Sequence, residues 1–130
     1  MIPLVVAAIN SPFSLLSLRI IANIIVTASS VSRQLVDEGI LDCLQQFVKE
    51  KLSSVTEVPS YYTRWLVLFI LSNLAAESEE IVDLLLCSDL YKIIIDEMID
   101  EECNRGLFIE FVYFCSNLVF SSSDEQVISE

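Results

Sequence analysis

The chain has 130 residues, 54% of them hydrophobic, and a formal net charge of -12 from 19 acidic and 7 basic side chains. That length suits one domain with a real core, the hydrophobic share excludes intrinsic disorder, and the acidity argues against nucleic acid or anionic lipid as a partner. With 2 glycines, 3 prolines and no histidine there are too few turn residues for a many-stranded sheet and no imidazole for a general base, so the chain reads as all-α and not as an enzyme.

Residues 2–9 are predicted to form a short apolar helix that stops at Asn10, Ser11 and Pro12. This uncharged start lacks the basic region of a secretory signal and is interrupted too soon for a membrane span, so a buried helix is expected and no membrane partner. Ser11 is placed to cap the next helix with Pro12 at its first position, where a missing N–H costs nothing. That helix is predicted over residues 12–28, with Leu15, Leu18, Ile21 and Ile25 as its buried stripe. A short helix over 31–38 ends at Gly39, which can take the left-handed C′ conformation. The next, over 40–52, turns Leu41, Leu44 and Val48 inward and Lys49, Glu50 and Lys51 outward.

Residues 53–60 read as a loop. A long helix over 61–76, a short one over 78–86 and another over 89–99 then repeat the earlier order, with Leu90, Ile93 and Ile94 facing in. After a polar break at 100–104 comes a further long apolar helix over 106–120, and residues 121–130 begin another short one. Cys43, Cys87, Cys103 and Cys115 include no CxxC pair and lie beside apolar residues, so they read as small core residues of a reduced, intracellular protein. No metal site and no cofactor is expected.

Three asparagines align when the long helices are superposed: Asn23 in RIIANII, Asn73 in FILSNLA and Asn117 in YFCSNLV. Their spacings of 50 and 44 residues are close to the period of a three-helix armadillo or HEAT unit. From each of the first two, 16 residues lead to Gly39 and to Asp89, at the junction of a short and a second helix. The division that follows is a third helix of one repeat at 12–28, a repeat at 31–76, another at 78–120, and the start of a further repeat at 121–130. Such units bury their faces on one another, and the apolar ends predict self-association through uncapped faces.

Over nearly the whole chain these residues resemble armadillo repeats, and more narrowly those of the importin alpha family of nuclear import adaptors. Arg19, Asn23 and the stretch from Gln34 to Leu44 are similar to the RxxGN form of a third helix and the helices that follow it, and the SN pair recurs at Ser72 and Asn73 and at Ser116 and Asn117. Arg64 stands where the family has a basic residue before its tryptophan, and Glu110 where it has a glutamate. The resemblance implies a right-handed superhelical armadillo solenoid of about two to three repeats. Its third helices would line a groove for basic nuclear-localisation-type peptides, in the cytoplasm and nucleus, with other transport factors as further partners. In such a groove an asparagine amide holds the backbone of an extended peptide, and an aromatic ring one turn earlier supports a lysine stem. Arg19, Asn23, Phe69, Asn73, Glu110, Tyr113 and Asn117 are the peptide-binding residues so implied. Arg19, Phe69 and Tyr113 occupy ring positions where the family has tryptophan, and the lone Trp65 lies one turn before Phe69. Two other readings stay open: an armadillo scaffold that binds proteins without recognising signal peptides, and a membrane-associated helical hairpin.

Overall fold

Helix α1 (Ile2–Ala7) starts with Pro3 in its first turn, where the fixed φ of the ring suits a helix, and tightens into a 3-10 turn over Ala8–Asn10. The computed structural model describes residues 1–52, 61–94 and 105–121, and every regular element in them is a helix. The break after Asn10 is present, but Ser11 does not cap the helix that follows. Its Oγ donates to Ala8 O at 2.7 Å and accepts from the Phe13 N–H at 3.1 Å, closing a turn instead. Helix α2 therefore begins two residues later than expected and runs Ser14–Ile24. It also ends early, because Thr27 turns back on Ile24 O with both its N–H (3.1 Å) and its hydroxyl (2.6 Å).

The buried stripe of α2 is Leu18, Ile21 and Ile25, whereas Leu15 is 42% exposed and departs from the expected stripe. Each three-residue step carries a side chain roughly 60° backwards around a helix, so Leu15 falls about a quarter-turn outside the arc centred on the other three.

Helix α3 (Ser29–Asp37) hands over to α4 (Ile40–Phe47) through Gly39, whose φ of 85° is left-handed as expected. A π-helical turn, Val48–Leu52, prolongs α4. Leu44 and Val48 are buried and Lys49 and Glu50 exposed, while Leu41 is only half-buried. Helix α5 (Tyr61–Glu77) precedes α6 (Glu79–Leu86), where Ser78 Oγ accepts from the Ile81 N–H at 3.2 Å. Glu79 and Glu80 in that first turn complement the helix dipole. Helices α7 (Asp89–Ile93) and α8 (Arg105–Ser121) complete the set, with Leu90 and Ile94 buried and Ile93 half-buried. The expected loop at 53–60, the end of the 89–99 helix, the break at 100–104 and most of the 121–130 start lie outside the described residues.

Helix α5 sits between α2 and α8 and packs on both. In a second layer the turn after α1 packs on α4, and α4 on α7; α3 and α6 cover the long helices from the side. Leu66, Val67, Leu68, Ile70, Leu71 and Leu74 are each at most 1% exposed, so α5 is buried around most of its circumference. At roughly 1.5 to 3 kcal/mol for each such side chain, this helix is the largest contributor to the core.

Polar groups stitch the layers. Asn10 donates to Cys43 O at 3.0 Å, and Ser17 Oγ donates to Val5 O. Arg33 on α3 reaches Glu80 on α6 with both terminal nitrogens, at 2.8 and 3.1 Å. The cysteines depart from the core reading: Cys87 is exposed, Cys43 and Cys115 are half-buried free thiols, and Cys103 lies outside the described residues. Among the described residues no helix is long and apolar enough to cross a membrane.

A Cβ at Gly39 would meet nothing within 4 Å, so its substitution is opposed by backbone conformation alone. Gly39→Ala is expected to destabilise the protein by about 1 kcal/mol, and Gly39→Asn by less, read as shifts of the urea midpoint.

Candidate protein-binding face

The side of α5 that escapes burial is a narrow stripe of Tyr62, Trp65, Phe69 and Asn73, spaced three and four residues apart along one face. Its rings stack in sequence. Tyr62 and Trp65 lie 6.3 Å apart between centroids at 14°, and Trp65 and Phe69 5.0 Å apart at 23°. Asn73 continues the stripe, its Nδ2 donating to Phe69 O of the preceding turn at 2.8 Å.

The long helices on either side present the same register. On α2 the positions are Leu15, Arg19 and Asn23, all exposed; on α8 they are Ile109, Tyr113 and Asn117, of which Tyr113 is 60% exposed and Asn117 half-buried. Five of the seven residues singled out from the sequence thus lie on the outward stripes of helices packed side by side, and Asn117 lies at the edge of the α8 stripe, turned into the contact with α5. The seventh, Glu110, stands two turns before Asn117 on the side of α8 turned towards α5, where it is half-buried. Desolvation raises its carboxyl pKa above the ordinary value.

The three asparagines are in unlike states. Asn117 spans two helices: its Nδ2 donates to both Ser72 O and Ser72 Oγ at 2.9 Å, so its amide nitrogen is engaged with α5. Asn73 bonds within its own helix. Asn23 is exposed and makes no hydrogen bond among the described residues.

Leu15, Tyr62 and Ile109 belong to this face and were not among the residues expected there. Leu15 and Ile109 precede Asn23 and Asn117 by the same eight residues that separate Trp65 from Asn73. That register was available from the sequence, but the apolar character of Leu15 pointed it inward. Acid is scarce on the face. Among the described residues the long helices α2, α5 and α8 carry only Glu77 and Glu110, whereas Asp37, Asp42, Glu79, Glu80, Asp83 and Asp89 all lie on the short helices. No cluster of cysteine and carboxylate that could hold a metal occurs among the described residues. What the stripes offer chemically is apolar and aromatic contact with a few amide groups, the composition of a protein-binding surface.

No known protein family, curated protein or solved structure matches the chain.

Asn117→Ala removes two interhelical hydrogen bonds and is expected to destabilise by about 1 to 2 kcal/mol, whereas Asn73→Ala, losing a local bond and gaining helix propensity, stays within about 0.5 kcal/mol of wild type in the same urea titration. Because the folded-state pKa of Glu110 is raised, its contribution to stability is greatest when protonated and is lost as pH rises through that pKa. Glu110→Gln should therefore melt above wild type at pH 7, with the gap closing below the ordinary carboxylate range. A gap independent of pH would contradict this.

Proposed function

We propose that this protein is an armadillo-like helical-repeat module that binds other proteins through the outward stripes of α2, α5 and α8, without catalysis and without reading a basic signal peptide. The observation that carries this is Asn117, whose amide nitrogen donates to both Ser72 O and Ser72 Oγ and so is turned into the contact with α5 and not toward a peptide backbone. The repeat reading is supported by the lateral order of α2, α5 and α8, the packing of α4 on α7, and the register of Asn23, Asn73 and Asn117. The stacked rings of α5, with Tyr62 47% and Tyr113 60% exposed, suit an apolar or aromatic partner surface, and Arg19 repels a lysine.

A second reading, an importin alpha-like adaptor for basic peptides in nuclear import, is favoured by Asn23, which is exposed with its amide unengaged among the described residues, and by rings one turn before Asn73 and Asn117. It is weakened by the scarcity of carboxylates on the long helices, since a lysine side chain needs them for its selection.

Fluorescence anisotropy with two labelled peptides separates the readings. A neutral amphipathic peptide rich in leucine and phenylalanine is expected to bind saturably, with little salt dependence, and to lose affinity roughly tenfold in Tyr113→Ala. An extended lysine-rich peptide is expected to bind weakly, to be released by salt, and to ignore Asn23→Ala, Asn73→Ala and Asn117→Ala. Saturable lysine-peptide binding that falls in the asparagine variants would replace the first reading with the second.

A further inference from the structure

The two halves of the packing between α5 and α8 recur, in register, on surfaces that nothing covers among the described residues. The side of α5 that meets α8 is marked by Ser72, which receives the Asn117 amide. Arg64, Leu68 and Ala75 stand eight and four residues before it and three after, share its side, and are buried. The shift of 44 residues between Asn73 and Asn117 carries that set onto α8 as Phe108, Val112, Ser116 and Val119. There it is open. Phe108 is 51%, Val112 46% and Val119 57% exposed, and with Ser116 and Cys115 they line an apolar groove of about 450 Å3.

The opposite side of α8, which packs on α5, carries Leu107, Glu110, Phe114 and Asn117. In α2 and the residue before it the same register positions are Phe13, Leu16, Ile20 and Asn23. These too are uncovered: Phe13 is 68% and Leu16 55% exposed, and with Ile20 and Leu4 of α1 they line a second apolar groove. The molecule therefore displays, on two different surfaces, a copy of each half of an interface it already forms internally.

We propose that a second copy of this chain seats its α2 face in the α8 groove, repeating the packing of α8 on α5 between molecules. Asn23 of one copy then donates to Ser116 of the next, as Asn117 donates to Ser72 within the chain. The α2 half is the more apolar of the two, since Leu16 stands at the register position of Glu110 and brings no carboxylate to desolvate. A two-fold contact of α8 on α8 would instead bring the two Ser116 sites together with no amide to donate. The contact is heterologous, so each added copy presents a fresh α8 groove and growth does not stop at a dimer. It uses the packing sides of the long helices and shares only the asparagine row with their outward stripes, so Leu16→Glu and Val112→Glu test it without touching Tyr113, on which the protein-binding reading is tested.

The experiment is sedimentation over a wide concentration range with variants that block one face each. Leu16→Glu blocks the α2 face and Val112→Glu the α8 face; both side chains are about half exposed, and Phe13→Lys with Val119→Lys gives a second pair should a melting curve show that either variant is unfolded. Wild type is expected to grow past dimer with concentration. Each blocked variant alone is expected to stay monomeric, and an equimolar mixture of the two to form a dimer and nothing larger, because one intact face of each kind remains. Asn23→Ala should weaken wild-type association about fivefold to tenfold, the loss of a net hydrogen bond. A wild type that is monomeric at every concentration, as when other occupants fill these grooves, would overturn the proposal. So would a mixture that stays monomeric, or either folded variant dimerising alone.

Discussion

Helix α5 is apolar on nearly every side, and a helix of that kind has to be covered on nearly every side. Most of what surrounds it follows from this. Helices α2 and α8 take its flanks, α6 and α3 close its inner side, and the stripe from Tyr62 to Asn73 reaches solvent, with Thr63 beside its start and Ala76 and Glu77 beyond its end. The stripe is itself mostly aromatic, so the residues that complete no packing layer are also those best suited to meet another protein. Among the described residues, α2 and α8 carry similar apolar character with a long helix on one flank only, and their other flanks hold the exposed Leu16, Phe108 and Val112.

Charge is separated from this layer. The short helices carry nearly all of the described acid, and ion pairs cross between them: Arg33 bridges α3 and α6, and Lys49 approaches Asp89 on α7 at 3.9 Å. Both pairs are largely exposed, so each contributes little to stability and less in salt. Their effect is on orientation: Arg33 holds Glu80 in a fork that fixes the two short helices relative to each other. Charge lies on one layer and the exposed rings on another.

Much of the fold was legible in the residues. Gly39 marked a left-handed junction, Ser78 a cap, and unbroken apolar runs marked α5 and α8, because each depends on local chemistry that a sequence displays directly. Where the structure departs, tertiary context decided. Ser11 had a nearer carbonyl to bond than the helix it was expected to cap; Thr27 cut α2 short by turning on Ile24; Leu15 was apolar yet lay outside the covered arc; and Cys87, beside leucines, is exposed. For the candidate face, the spacing of the asparagines was enough to place Arg19, Asn23, Phe69, Asn73 and Tyr113 on outward stripes. That Asn117 would give its protons to Ser72 was not, since the bond spans 45 residues and rests on the closeness of two helices.

The unlike bonding of the asparagines gives the row a gradient in hydrogen-bond capacity. Asn23 makes no hydrogen bond among the described residues, Asn73 donates to Phe69 O within its own helix, and Asn117 donates to two oxygens of Ser72 on the neighbouring helix. The three amides are therefore not interchangeable: the group left over for a partner changes from one long helix to the next along the row.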